Sequence, residues 1–287
     1  MILDQYLQQH YTKKTAKIYG LEISNYITNY PNAAGAVYKD VVRYIGTLRS
    51  RYSNASTLNR ILCSIKAYYD FLCYTGERSD NPARSIRLRD QRSRDIQLQD
   101  LFTSQELEGL LNRKERYNNL YYRNRVLMSL LICQALQPAE LEALQVQDIN
   151  PGTGSIYIRS GITTNQRELS LRPEQVLLFY QYIHEIREKL LGGNASGALL
   201  IGIRGEPMKA EDITKHVQRS YKGLYPGRRI TTQTIRQSVI ADLLRAGHDL
   251  SLVQGFAGHR YPSSTERYRQ SDIETLQAAV NKYHPFG

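Results

Sequence analysis

The chain has 287 residues, 41% of them hydrophobic, and this length is sufficient for two domains with separate cores. Its formal net charge of +11 indicates a polyanionic partner, nucleic acid first and an acidic membrane surface second, because Lys and Arg release condensed counterions. No apolar run approaches the ~18 residues of a membrane span, and the start MILDQYLQQHY lacks the basic and apolar regions of a signal peptide. We therefore expect a cytoplasmic or nucleoid-associated protein without a membrane partner.

The N-terminal part repeats apolar residues at helical spacing in three segments: residues 13–30, 37–51 and 57–75. The third segment has the clearest stripe, from Leu58 to Leu72, and Gly76 stands just past its end as a stop signal. These segments predict a helical N-terminal domain over residues 1–82.

The segment NPARSIRLRDQRSR, residues 81–94, loses this apolar period and is rich in arginine. Its composition alone is typical of a solvated linker. We place a basic linker at residues 83–100 and a second domain at residues 101–287.

The second domain shows a mixed pattern. Thr103 and Glu106 fit a capping box that opens a helix, and the segment from Arg123 to Ala135 is apolar enough to be a buried helix. Residues 155–171 alternate in polarity, which predicts a β-hairpin. Further helices are expected at residues 173–191 and 210–221, with a short amphipathic helix at residues 272–283. The fold class predicted is mainly α with a small β-hairpin or sheet.

The three cysteines fall inside helix-like segments: Cys63, Cys73 and Cys133. None has a second Cys or a His at the close spacing of a zinc site. The sequence therefore predicts buried, reduced thiols, without a disulfide framework.

Residues 231–268 hold the side chains best suited to breaking a phosphodiester bond. A phosphoryl group in transfer carries charge on its non-bridging oxygens, and the guanidinium of Arg236 offers two parallel donors to it. Tyr268 is a weak nucleophile at its free pKa of about 10, but an imidazole such as His259 can take or share its proton. Each residue also has an ordinary structural alternative. Arg236 is then a solvated charge, Tyr268 is a packing side chain, and His259 belongs to a Gly-His pair that ends a helix.

The stretch LLRAGHDLSLVQGFAGHRYPSSTERY resembles the closing motif of the tyrosine recombinases, the phage integrase family. In that motif a leucine-rich helix, a Gly-Asp-Leu-like turn, an LGH-like element and a Thr-x-x-Tyr segment follow in this order. AELEALQVQDI is similar to the "SELxxLxxxDI" helix and turn of the same family. The resemblance is close from Ile235 to Tyr268 and looser over nearly the whole chain.

The resemblance implies a core-binding domain and a catalytic domain that form a C-shaped clamp around double-stranded DNA, with no metal ion or other cofactor. It implies that Tyr268 becomes joined to a DNA 3′ phosphate, and that the protein acts as a homo-oligomer, a tetramer on synapsed sites, or with a partner recombinase. The tail helix at residues 272–283 is expected to dock on a neighbouring protomer. The expected DNA contacts are Arg84, Arg87 and Arg89 of the linker together with Arg159 and Arg167.

The chain departs from the family at several catalytic positions. Gln137 occupies the first arginine position, Gln233 occupies the first histidine position, and the hairpin segment at residues 161–167 contains no lysine. A positioned arginine is worth roughly 10³–10⁵ in rate and a general acid roughly 10²–10⁴. A neutral glutamine donates hydrogen bonds without charge, so cleavage is expected to be slower by about five orders of magnitude or more.

Five other cations are near enough in sequence to replace the missing charge: Arg159, Arg167, Lys209, Arg228 and Arg260. Three hypotheses remain open on the sequence. The first is an active site-specific recombinase with a rearranged site. The second is an inactive pseudo-recombinase that binds DNA as a regulator, an architectural subunit or the partner of an active enzyme. The third is an unrelated helical DNA-binding protein.

Overall fold

The computed structural model describes residues 2–88, 101–113, 115 and 118–268, and helices dominate it. The chain divides into two units, Met1–Arg94 and Asp95–Gly287, each with its own hydrophobic core. One small antiparallel sheet lies in the second unit. The predicted fold class, mainly α with a small β element, is confirmed.

The described part of the first unit contains four helices: α1 (Leu3–His10), α2 (Lys13–Asn29), α3 (Tyr38–Arg49) and α4 (Ala55–Tyr74). Asn54 caps α4 by accepting a 2.9 Å hydrogen bond from the backbone N–H of Ser56. In the core, the Tyr69 hydroxyl donates to the Ala33 carbonyl at 2.8 Å and therefore accepts from the Tyr26 hydroxyl at 2.7 Å. These bonds satisfy both buried hydroxyls and fix how α2 packs on α4.

The second unit carries nine α-helices, one short 3-10 helix at Val146–Asp148 and three strands in its described residues. The helices are α5 (Ser104–Leu111), α6 (Asn118–Cys133), α7 (Pro138–Ala143), α8 (Pro173–Gln181), α9 (Arg187–Leu191), α10 (Ala210–Ser220), α11 (Thr232–Arg245), α12 (Leu250–Ala257) and α13 (Pro262–Glu266). The strands are β1 (Ile149–Asn150), β2 (Ser155–Ile158) and β3 (Arg167–Ser170). A π-helical turn at Tyr182–Ile186 separates α8 from α9, so the regular helix predicted over residues 173–191 is interrupted. The buried Tyr182 hydroxyl donates to the Leu199 carbonyl at 2.9 Å and holds this turn in place.

Helix α6 forms the centre of the second core, as its apolar composition predicted. Val126, Leu127, Leu130 and Leu131 are all fully buried in it. The predicted capping box at the start of α5 is also present, because Thr103 Oγ1 accepts from the Glu106 N–H and Glu106 accepts from the Thr103 N–H. The strongest periodic signals in the sequence therefore correspond to real elements.

The sheet has the order β1-β2-β3, with both neighbouring pairs antiparallel. Ile156 pairs with Leu169, and its side chain is buried while that of Tyr157 is exposed. The pairing of β2 with β3 confirms the predicted hairpin. The short strand β1, which pairs with β2, was not predicted. The hairpin loop reaches the turn after α12 through a bridge between Thr164 and His259, so the sheet positions one wall of the site described below.

Two expectations concern residues outside the described ranges: the tail helix at residues 272–283, and the linker from residue 89 to residue 100. The three cysteines are free thiols, and they are half-buried, whereas the sequence predicted that they are buried. Across residues 2–88, 101–113, 115 and 118–268, no helix has both the length and the apolar character to cross a membrane.

Candidate active site

Five residues singled out from the sequence line one pocket of about 470 Å³ in the second unit. They arrive from four different segments, since Gln137 precedes α7, Gln233 and Arg236 lie on α11, His259 follows α12, and Tyr268 follows α13. The rest of the lining consists of Pro138, Thr163, Thr232, Gln237, Ser264 and Arg267. Residues far apart in the chain thus meet around a space large enough for a phosphodiester group.

Arg236 links two walls of this pocket. Its side chain is buried, and its Nη1 donates to the Ala135 carbonyl while its Nη2 donates to the Ala257 carbonyl at 2.6 Å. The first carbonyl belongs to the loop that carries Gln137, and the second ends the helix before His259. Burial lowers the pKa of Arg236, an effect that a nearby carboxylate opposes. The guanidinium keeps its charge, because arginine is not deprotonated in proteins.

That carboxylate is Glu140, which is buried on α7. It accepts two hydrogen bonds from Arg167, at 2.7 and 3.2 Å, and one from the Gln137 N–H at 2.8 Å. It also lies 4.0 Å from Arg236 Nη1. Burial alone would raise the pKa of Glu140, but the Arg167 pair, the Gln137 N–H and the Arg236 charge lower it overall. Two guanidiniums around one carboxylate leave this buried cluster with a net positive charge.

Arg167, expected as a DNA contact, is therefore placed differently from that expectation. Only 6% of its side chain is exposed, and both terminal nitrogens donate to Glu140. It does not line the pocket. The geometry favours a supporting role, in which Arg167 holds Glu140, and hence the loop of Gln137, in position.

Gly258 lets the hairpin close on the turn after α12. Its φ is +68°, in the left-handed region, and a Cβ atom there would lie 2.4 Å from Arg167 Nη1 and 3.1 Å from the Asn165 carbonyl oxygen. The Asn165 N–H donates to the Gly258 carbonyl at 2.8 Å. The Gly-His pair is a helix end, as the structural alternative held, and it also delivers His259 to the pocket.

His259 is held by one ring nitrogen. Its Nδ1 lies 2.8 Å from Thr265 Oγ1, and only 9% of the residue is exposed. Burial lowers the pKa of His259 to about 4, and the charges of Arg236, Arg167 and Arg267 add to this effect. The imidazole is therefore neutral at pH 7, with a nitrogen that can accept a proton.

Tyr268 lies beside this imidazole. The two ring centroids are 6.0 Å apart and the planes differ by 17°. Burial raises the pKa of the Tyr268 phenol, and Arg236 and Arg267 oppose that rise. Its ring packs in a small apolar cluster with Leu101, Ile240, Ala241, Val253 and Ala257. The phenol is therefore protonated at pH 7, and an attack by its oxygen on another group would require an acceptor for its proton.

None of the five cations considered as substitutes lines the pocket. Arg159 forms two 2.6 Å hydrogen bonds with Asp148 and lines an adjoining cavity of about 330 Å³, which shares Gln137 and Thr163 with the pocket. Arg228 pairs with Glu106. Arg260 donates to the Gly161 carbonyl at 3.0 Å, and Lys209 lies exposed before α10.

Six lining residues were not predicted as site residues from the sequence, among them Thr163, Gln237 and Arg267. Helical spacing was a usable signal for Gln237, which lies one turn after Gln233 on α11. Nothing in the sequence indicates that Arg267 faces the same space as Tyr268, because the direction of a side chain at the end of a short helix depends on tertiary packing. Within the described residues, no group of three or more His, Cys, Asp and Glu side chains is arranged to hold a metal ion.

The linker arginines lie in the first unit. Arg84 and Arg87 are exposed, and Arg84 makes only a loose contact, 3.7 Å from Asp70 Oδ1, with 81% of its side chain exposed. Arg89 is outside the described residues. Both described arginines are accessible to a ligand, and their contact with DNA stays a prediction.

A sequence model described as the phage integrase family matches residues 100–275. The chain is 26% identical to tyrosine recombinase XerC of Halalkalibacterium halodurans, over 89% of this chain and 84% of that protein. It is also 26% identical to tyrosine recombinase XerD of Oceanobacillus iheyensis, over 86% of this chain and 82% of that protein.

Two solved structures share the fold. One is a lambda integrase dimer bound to a COC′ core site, with a TM-score of 0.71 and 15% identity over 94% of each chain. The other is XerH site-specific recombinase in a post-cleavage complex with palindromic difH substrate, with a TM-score of 0.71 and 19% identity. That match covers 93% of this chain and 78% of XerH.

Proposed function

Because the chain belongs to the phage integrase family of tyrosine recombinases, we propose that it binds double-stranded DNA at specific sites and breaks and rejoins strands through Tyr268. One observation carries this proposal. Gln137, Gln233, Arg236, His259 and Tyr268, the five positions that match the family's catalytic motifs, line a single pocket. An unrelated helical DNA-binding protein has no reason to bring Tyr268 to Arg236 and His259.

The proposed cleavage step is a transesterification. The Tyr268 oxygen attacks the phosphorus of one phosphodiester, a P–O bond forms to the tyrosine, and the bond from phosphorus to the 5′ oxygen breaks. The phenolic proton leaves Tyr268, for which the neutral His259 is a suitable acceptor, and a proton ends on the departing 5′ hydroxyl. Attack of a 5′ hydroxyl on the 3′ phosphotyrosine reverses these changes and rejoins a strand.

The charge in the pocket bears on the rate of this step. Arg236 is a fixed guanidinium beside the reacting groups, whereas Gln137 and Gln233 supply hydrogen-bond donors without charge. We expect cleavage to be slow, because the described pocket holds fewer cations than the family pattern provides. The protein then acts on its site as a homo-oligomer or with a partner recombinase that carries a full catalytic set.

A second candidate is a DNA-binding protein that does not cleave. The neutral Gln137 and Gln233 favour this candidate. The burial of Tyr268 favours it too, since a tyrosine without a catalytic role can remain because it packs in the same apolar cluster as Leu101 and Val253. In this role the protein is a regulator, an architectural subunit or the silent partner of an active enzyme.

Covalent trapping separates the two candidates. The substrate is a duplex selected from random DNA by the protein itself and nicked so that cleavage releases a short strand. An adduct with the unsubstituted chain, absent in Tyr268→Phe, supports the first candidate. An adduct that appears only in the double variant Gln137→Arg with Gln233→His supports the second, and the absence of any adduct leaves DNA binding alone.

A further inference from the structure

We propose that Arg267 is a second phosphate-binding cation of the pocket and supplies the positive charge that Gln137 does not carry. This inference rests on the proposed strand cleavage, and it assigns a catalytic contact to a residue outside the set recognised from the motifs.

Arg267 lines the same pocket as Tyr268, Arg236 and His259. Its side chain is exposed, unlike that of Arg236, whose two terminal nitrogens each donate to a backbone carbonyl. No ion pair among the described residues includes Arg267. Its guanidinium is therefore accessible to an anion that enters the pocket.

Three of the other candidate cations are paired with carboxylates, and none of the five lines the pocket. Arg167 is occupied by Glu140, Arg159 by Asp148, and Arg228 by Glu106. Arg236 and Arg267 are the cations that line the pocket among residues 2–88, 101–113, 115 and 118–268. If a second guanidinium reaches the phosphate from the described residues, Arg267 is the one in position.

Its charge also acts on both reacting groups. Arg267 contributes to the lowered pKa of His259 and opposes the rise in the pKa of Tyr268 that burial causes. A cation that favours the phenolate of Tyr268 also stabilises the charge on a phosphoryl group attacked by that oxygen, because both are anionic in the transition state. Gln137, Gln233 and Gln237 surround this space with neutral amides, so a single added guanidinium has a large relative effect.

The test compares four versions of the full chain: the unsubstituted chain, Arg267→Gln, Gln137→Arg, and the two changes together. Each is mixed in excess with the nicked duplex, and the rate of adduct formation is measured beside DNA affinity at the same salt concentration. Arg267→Gln is expected to slow the adduct by at least about 10²-fold, with affinity changed by less than about threefold. In the Gln137→Arg background the same change is expected to slow it by less than about tenfold, because Arg at position 137 restores the missing charge.

Two further variants make the comparison specific. Arg267→Lys keeps the charge but loses the planar fork, so it is expected to recover part of the rate. Arg245→Gln removes one exposed arginine of α11 that pairs with Asp242 and does not line the pocket, and it is expected to leave the rate unchanged. It controls for the loss of one unit of net charge.

Each remaining outcome overturns the inference, and the outcomes differ in what they mean for strand cleavage. Equal rates for Arg267→Gln and Arg245→Gln, or equal losses in both backgrounds at position 137, leave Tyr268 cleavage intact and remove Arg267 from its assigned role. An adduct that requires Gln137→Arg shows that Arg267 does not replace the missing charge. The absence of an adduct in all versions ends both this inference and the cleavage proposal.

Discussion

Gly258 lies directly against Arg167, so closely that a Cβ atom on the glycine would be 2.4 Å from the arginine Nη1. The contact joins the hairpin to the turn that delivers His259, and Arg167 is in turn bound to Glu140. A change at either residue is therefore transmitted to two walls of the pocket.

Gly258→Ala is expected to lower the free energy of unfolding by about 2–4 kcal/mol, combining left-handed backbone strain with a clash against a buried ion pair. Urea denaturation measures this change. Gly247→Ala is the matched control, because Gly247 has a φ of +86° and nothing within 4 Å of its added Cβ. The control is expected to cost only about 1–2 kcal/mol, and equal losses for the two variants would show that the contact with Arg167 is unimportant.

Ala135 is a second strained position, since its φ is +50° although it is not glycine. Its carbonyl accepts a hydrogen bond from Arg236, which holds the backbone in this conformation. Ala135→Gly removes about 1–2 kcal/mol of strain, but it adds up to about 1 kcal/mol of unfolded-state entropy and takes a fully buried methyl group worth about 1 kcal/mol out of the core. These contributions nearly cancel, so a net change within about 1 kcal/mol of zero is expected in urea denaturation. Ala139→Gly, at an exposed position of α7, is expected to destabilise by about 0.5–1 kcal/mol, and a loss in Ala135→Gly well above that of Ala139→Gly would contradict the assignment of strain.

Two buried histidines, His259 and His216, are expected to make the free energy of unfolding depend on pH. His259 and His216 both have a pKa lowered to about 4 by burial, below the unfolded value of about 6.5. Between these values the unfolded chain binds more protons than the folded chain. The free energy of unfolding is therefore expected to fall as the pH falls from about 6.5 to about 4, by at most about 1.4 kcal/mol per pH unit for each histidine.

Urea denaturation across this range, with NMR titration of the histidine side chains, measures the effect. His259→Gln is expected to make the pH dependence shallower, and His184→Gln, on the surface face of the π-helical turn, is the control that leaves it unchanged. A His259 that titrates near 6.5 in the folded protein would refute the argument. Bound DNA is expected to raise its pKa, because a phosphate in the pocket opposes the arginine charges.

The sequence predicted the parts of the fold in which one local pattern decides the structure. The apolar run of α6 and the alternation around Ile156 each have a simple cause, burial on all sides or on one face. The resemblance to the family identified Arg236, His259 and Tyr268, which the structure brings into one pocket. In these cases the residue types and their spacing are sufficient to predict the element or the position in the pocket.

The rest depended on tertiary contacts. Arg167 appears in the sequence as one more cation of a polar loop, and its partner Glu140 is 27 residues away. No pattern in either segment indicates that the two side chains meet in a buried pair. The same holds for Arg267, whose orientation follows from how α13 packs, and for Ala135, whose backbone conformation follows from its bond to Arg236.

The linker arginines give a prediction about DNA binding that is independent of the chemistry in the pocket. Replacing Arg84, Arg87 and Arg89 with alanine is expected to weaken binding to all DNA sequences alike, because phosphate contacts carry no base information. The slope of log affinity against log salt is expected to become shallower by roughly 0.9 for each arginine–phosphate interaction removed, up to about 2.7 in total. Fluorescence anisotropy with a selected and an unrelated duplex, from about 50 to 200 mM salt, measures both effects.

The control replaces three exposed lysines at the start of α2, Lys13, Lys14 and Lys17, which removes the same charge from the same unit. If both triple variants lose the same affinity and slope, the effect is one of net charge, and the linker does not contact the duplex.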